Sequence, residues 1–151
     1  MKSFDFPLDK VRLYREKQAQ IEESKLERLY TGRRTVEARR DTLNRHRSET
    51  ERSLLSAQYA NAAELAALDR WGRFVEQQNQ VFAKQLAQCD AEIAAQRARV
   101  MEARRQFQLL DKLKEKRVAI WRAACDRELE QQAAESYLAR WSREQGLVES
   151  G

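Results

Sequence analysis

The middle of the chain contains the segment Asp69-Arg70-Trp71-Gly72-Arg73-Phe74-Val75-Glu76-Gln77-Gln78-Asn79. It holds the glycine nearest the midpoint of a long helical pattern, and glycine weakens a helix more than any residue except proline. We therefore predict that the chain reverses within about 69–80. One helix then covers about 7–70 and a second about 80–144, between Pro7 in the first turn and Gly146 beyond the end.

Apolar residues recur at spacings of three and four on both sides of this segment, as in a helix with one apolar stripe. The main positions are Val11, Tyr14, Ile21, Leu29, Val36, Leu43, Leu54, Leu65 and Leu68 in the first half, and Phe82, Leu86, Ile93, Val100, Phe107, Leu110, Leu113, Trp121, Leu138 and Trp141 in the second. The fold class predicted is all-α, with residues 1–151 as a single antiparallel coiled-coil hairpin of two long helices. We expect Trp121 and Trp141 to be core residues.

The composition supports long elements and excludes several other classes of protein. Charged residues make up 35% of the chain, with only four Gly and one Pro, too few for a fold of many short elements. No apolar run approaches the roughly 18 residues of a membrane span, and the N-terminus lacks the apolar stretch of a secretory signal. We expect a cytoplasmic protein in which Cys89 and Cys125 stay reduced. A single helix of about 135 residues paired with a parallel partner chain is the alternative architecture.

The net charge of +5 is unevenly distributed along the chain. Residues 28–52 carry eight Arg against four acids, and residues 97–127 carry ten Lys or Arg against four acids. A turn near residue 75 places these two segments side by side. We call this predicted surface the basic waist and expect it to bind a partner through Arg33, Arg34, Arg39, Arg40, Lys112, Lys114, Lys116 and Arg117. The other interpretation is a solvated face neutralised by counter-ions.

Aromatic residues mark a second predicted surface, at the turn. Trp71, Phe74 and Phe82 lie in or beside the predicted reversal, where two helices cannot bury all three rings. We call these residues the predicted tip and expect them to contact a partner, or else to fold over one another and cap the coiled coil.

The sequence contains no pattern typical of a catalytic or metal site. His46 is the single histidine and has no cysteine near it in sequence, and no Gly-rich loop is present to bind a phosphate. The carboxylates lie on charged helix faces beside Arg and Lys. We expect a protein that is not an enzyme and that carries neither cofactor nor metal.

The N-terminal run resembles the opening of the FliJ family, whose members begin with an F-x-F-x-L-x-x-V-like pattern. The matching residues here are Phe4, Phe6, Leu8, Val11 and Arg15, in a run that extends to Glu16, although Arg12 stands where the family has Leu. Two later segments are similar to the family's basic leucine-containing segment and its charged closing segment. They are 109–117 and 127–135, and Ala134 replaces an Asp of the family pattern.

The resemblance implies a two-helix stalk of the flagellar type III export apparatus, comparable to a rod in a ring. On this basis we expect a monomer whose partners are the hexameric flagellar export ATPase, the cytoplasmic domain of the export gate and export chaperones. It would associate with the membrane only through these partners. We expect no binding to nucleic acid. The related injectisome stalks share the architecture. Two other functions stay open from the residues alone: a basic coiled coil that binds nucleic acid, and a structural coiled-coil dimer.

Overall fold

The structure is a computed structural model that describes residues 2–57 and 61–150. It contains two helices, α1 (Asp9–Ser56) and α2 (Ala62–Glu149), and no strand within the described ranges. The helices pack against each other in opposite directions, since residues early in α1 contact residues late in α2. The predicted all-α helical hairpin is confirmed.

The predicted position of the turn is wrong. Residues 69–80 all lie inside α2, and the chain reverses between Ser56 and Ala62, in part outside the described residues. A lone glycine costs a helix only about 1 kcal/mol, which packing can offset. Gly72 lies beside α1, where a Cβ would meet Arg47 Nη2 at 3.8 Å. The glycine is therefore a helical position next to an arginine of the neighbouring helix.

Asn61 supplies the start signal of α2. Its side-chain Oδ1 accepts a hydrogen bond from the backbone N–H of Glu64 at 2.8 Å, and its carbonyl accepts one from Leu65 at 3.1 Å. Together Asn61 and Glu64 have the residue types and spacing of a helix capping box. The local sequence therefore favours a helix that begins at Ala62, seven residues before the start of the predicted turn region, 69–80.

The change of turn also changes the helix register. A turn near residue 75 would place residue i opposite about 150 − i, whereas four ion pairs between the helices join residues whose numbers add up to 123. These pairs are Asp9–Lys114, Arg12–Asp111, Arg33–Asp90 and Arg47–Glu76. Each α1 residue therefore faces an α2 residue about 27 positions earlier than predicted.

Contacts divide the chain into two units, of which one is Lys17–Arg104. Its buried residues are Ala19 of α1 and Val75, Ile93 and Val100 of α2. Gln96 is also buried, and its amide Nε2 donates to Glu22, to the backbone carbonyl at 3.0 Å and to the carboxylate at 2.5 Å. The polar side chain of Gln96 can be buried in this core because Glu22 accepts hydrogen bonds from its amide group.

The other unit combines Met1–Glu16 with Arg105–Gly151. Here the N-terminal segment and the start of α1 pack on α2, and Phe6 is buried. Beyond Trp121, α2 continues to Glu149, so the predicted end at about 144 is wrong, because Gly146 stays helical. Within the described ranges, neither helix has a stretch apolar enough to cross a bilayer.

Candidate partner-binding surfaces

The α1 arginines of the predicted basic waist do not form a single unpaired cluster. Arg33 donates to Asp90 at 2.7 Å and also contacts Glu37. Arg34 contacts Glu27 at 3.0 Å, and Arg40 contacts the adjacent Asp41 at 3.2 Å. Only Arg39 of these four forms no ion pair with the described residues, and it is exposed.

The α2 members of the predicted waist have other neighbours. Lys114 lies 2.9 Å from Asp9, and the guanidinium of Arg117 lies 5.5 Å from the centre of the Phe6 ring. Lys112 and Lys116 are exposed. Because the register differs from the prediction, α1 residues 28–52 face α2 residues near 71–95, which carry two cations and three acids. The predicted juxtaposition of two basic segments is therefore wrong.

The predicted tip residues do not lie at the turn, so this prediction of their position is also wrong. Trp71, Phe74 and Phe82 all belong to α2, within unit Lys17–Arg104. The rings of Trp71 and Phe74 stack with their centres 5.6 Å apart, but the pair lies within α2, so the alternative in which the three aromatics cap the coiled coil is wrong as well. Phe74 nevertheless stays 45% exposed.

The structure brings Arg39 together with Phe74 and Phe82, which the sequence had placed on two different surfaces. They line an open groove of about 600 Å³ between the helices. We call this the aromatic groove, and it is lined by Thr35, Ala38, Arg39, Thr42, Leu43, His46, Phe74, Gln78 and Phe82. Its floor is mainly apolar and its charged or titratable lining residues are basic, so it suits an apolar side chain that is accompanied by a carboxylate.

Two carboxylates between the helices have lowered pKa values. Hydrogen bonds from Lys114 and then Arg12 hold the pKa of Asp9 below its ordinary 3.8. The hydrogen bond from Gln96 is the largest cause that lowers the pKa of Glu22 below 4.5. In turn, Asp90 raises the pKa of Arg33, and Asp9 raises that of Arg12. In their charged forms, these groups make hydrogen bonds and ion pairs that connect α1 with α2.

The residues that resemble the FliJ opening have a structural role here. The Phe4 ring lies 5.9 Å from the Trp121 ring, and the Trp121 Nε1–H donates to the Lys2 carbonyl at 3.0 Å. With Phe6 buried beside Arg117, the segment before α1 packs directly on α2. Trp121 thus contacts the N-terminal segment, but it is only partly buried and is not one of the buried core residues that the prediction placed it among.

Residues 122–149 form a surface that the sequence analysis did not identify, and we call it the α2 extension. Every residue from Arg122 to Ser150 is exposed except Cys125, which is partly buried. Tyr137, Leu138 and Trp141 are each more than half exposed and recur at helical spacing. The prediction that Trp141 is a core residue is therefore wrong. The exposure of this part of α2 follows only from the helix register, because α1 begins too late in the chain to cover it. The apolar spacing alone could not show it.

No family model, curated protein or solved structure matches this chain.

Proposed function

We propose that the protein is a non-enzymatic, cytoplasmic stalk of the flagellar type III export apparatus that promotes assembly and activity of the hexameric export ATPase. The observation that carries the proposal is the unequal length of the two helices. Because α2 continues from Arg122 to Glu149 with exposed residues, the chain offers a single helix with apolar side chains on its surface.

The α2 extension is the segment we assign to the ring. A lone helix with side chains is about 10–12 Å wide, narrower than a helix pair. The exposed side chains of Tyr137, Leu138 and Trp141 supply apolar contact area, and large aromatic residues often dominate binding energy. A segment that contacts several subunits at once lowers the free-energy cost of closing the ring, since each additional contact is intramolecular.

The aromatic groove is the surface we assign to the second partner, the cytoplasmic domain of the export gate. The groove combines exposed Phe74 with unpaired Arg39, so a partner helix with an apolar residue and a nearby carboxylate complements it. Export chaperones are a third partner class under the same resemblance. The groove and the extension lie in different units of the chain, so substitutions can separate their roles.

The proposal is tested by measuring ATP hydrolysis by the export ATPase of the same organism while this protein is added. We expect saturable stimulation of hydrolysis. The double substitution Tyr137→Ala and Trp141→Ala is expected to weaken the affinity, read from the concentration that gives half-maximal stimulation, at least about tenfold. The matched control is Met101→Ala with Leu109→Ala, two exposed apolar residues of α2 outside the extension. Equal stimulation by both variants would contradict the role of the extension.

The gate contact is tested separately, by measuring affinity for the isolated cytoplasmic domain of the gate. Phe74→Ala and Arg39→Glu are each expected to weaken binding by about tenfold. Leu65→Ala and Arg45→Glu are the matched controls, since Leu65 is 53% exposed, Arg45 is exposed and neither lines the groove. Unchanged binding by the groove variants would remove the groove from the proposal.

A further inference from the structure

One side of α1 is free of carboxylates over most of its length in unit Lys17–Arg104. The positions follow each other at spacings of three and four residues, so they lie along one face of the helix. All nine are exposed: Lys17, Ile21, Ser24, Arg28, Gly32, Thr35, Arg39, Thr42 and His46. The stripe is about 43 Å long at 1.5 Å per residue. Its only ionisable side chains are basic.

Two neighbouring depressions extend this stripe toward α2. One is lined by Lys17, Gln20, Ile21, Ser24, Lys25 and Arg28, and the other shares Lys25 and Arg28 and adds Arg99 of α2. Glu92 is the one carboxylate among the residues that line them. We call Lys17, Ile21, Lys25, Arg28 and Arg99 the basic face.

Two of the four cations of the basic face have no acidic partner among the described residues, and the other two share a single carboxylate. Lys17 and Arg28 form no ion pair with any described residue. Lys25 contacts the carboxylate of Glu22 at 3.4 Å, and Arg99 interacts electrostatically with the same carboxylate without forming an ion pair. Another stripe of α1, at positions 23, 27, 34 and 41, contains three carboxylates, unlike the carboxylate-free side described above. There Arg34 contacts Glu27 and Arg104 contacts Glu23, so cations are neutralised within the protein. Charge on α1 is thus segregated by face.

We propose that the basic face binds the anionic headgroups of a membrane surface directly. This goes beyond the proposed function, in which only partner proteins bring the chain to the membrane. A planar surface can contact cations aligned along one side of the helix pair simultaneously, whereas the phosphates of a nucleic-acid duplex follow a curved path. The small residues Ser24 and Gly32 let the helix approach closely, and Ile21, 47% exposed between the cations, can enter the headgroup layer.

Flotation of the full chain with lipid vesicles tests this proposal without any partner protein. Vesicles of phosphatidylcholine are compared with vesicles that contain about one third phosphatidylglycerol. We expect binding only to the anionic vesicles, with strong weakening when salt is raised from about 0.1 M to about 0.5 M. Lys17→Glu with Arg28→Glu is expected to lower the partition coefficient at least about 25-fold, since each lost cation accounts for about fivefold.

The matched control is Arg34→Glu with Arg45→Glu, which makes the same change of charge on the other side of the same helix. It is expected to lower partitioning by less than about fivefold, and circular dichroism should show unchanged helicity for both variants. Several results would overturn the proposal: no binding to anionic vesicles, equal binding to neutral ones, or equal losses in the two variants. Tighter binding to duplex DNA or to polyglutamate than to anionic vesicles would also overturn it, in favour of a nucleic acid or an acidic protein.

Discussion

The side chain of Asn61 caps α2, with its Oδ1 2.8 Å from the backbone nitrogen of Glu64. The cap stabilises the start of α2, which lies next to the reversal of the chain. Asn61→Ala removes the acceptor and is expected to lower the free energy of unfolding by about 1 kcal/mol. Urea unfolding followed by circular dichroism measures the change.

The control for the cap is Asn61→Asp, which keeps an oxygen at the same place. It should unfold at nearly the urea concentration of the unmodified protein. If the Ala and Asp variants unfold together, the hydrogen bond from Glu64 does not stabilise α2.

The register can be tested by cross-linking. The Asn79 Nδ2 donates to Asn44 Oδ1 at 2.9 Å, so cysteines at these positions should form a disulfide within one chain. The experiment replaces the native Cys89 and Cys125 with serine and reads the gel mobility after oxidation.

Leu55→Cys with Ala95→Cys is the matched control, since a turn near residue 75 would place these two side by side. In the structure Ala95 instead shares a depression with Leu29, about 39 Å along α1 from Leu55. Cross-linking of the 55–95 pair in preference to the 44–79 pair would contradict the register.

Acid should destabilise the hairpin through Asp9 and Glu22. Their pKa values are lowered in the folded chain, so their stabilisation is complete above the ordinary values of 3.8 and 4.5 and is lost as pH falls through the folded-state values. We expect Asp9→Asn and Glu22→Gln to be less stable than the unmodified protein at pH 7. That difference should shrink steadily below about pH 4.

Urea midpoints across this pH range measure the effect. Glu135→Gln, in the α2 extension, serves as the control and should follow the unmodified protein throughout. A difference that stays constant down to about pH 2 would show that the two carboxylates do not act through their charge.

Phe6 should anchor the segment before α1. It is 5% exposed and lies beside Arg117, so Phe6→Ala is expected to cost about 3 kcal/mol. Phe6→Leu keeps most of the apolar volume and should cost less than about 1.5 kcal/mol. With Trp71 and Trp141 replaced by Phe, the emission of Trp121 should shift to longer wavelength in the Ala variant. Identical unfolding of the two variants would mean that Phe6 packing contributes little.

The helical hairpin could be predicted from sequence because spacings of three and four persist over both halves of the chain. The turn could not be predicted from Gly72, because one helical glycine costs only about 1 kcal/mol, which the packing of a long helix pair can offset. The capping signal at Asn61 lies where the apolar stripe continues from Leu54 to Leu65 with no glycine or proline between them, so the spacing gives no sign of a break.

The prediction of which residues share a surface depended on the predicted position of the turn. Arg39 and Phe74 are 35 positions apart in sequence, and only the correct register brings them into one groove. The same register leaves Trp141 uncovered, although its spacing along α2 is that of a core residue. The basic face was hidden for a different reason: charge counts along the chain do not show which side of a helix each charge occupies.

The central proposal is that this chain promotes assembly of the export ATPase ring, and native mass measurement of the reconstituted complex tests it most directly. The export ATPase would be mixed with this protein in the presence of a non-hydrolysable ATP analogue, and hydrolysis would be followed in parallel with ATP. The account predicts a complex of six ATPase subunits with one copy of this chain, and stimulation that saturates at that ratio. A ring that forms equally well alone, with neither co-assembly nor stimulation, would contradict it.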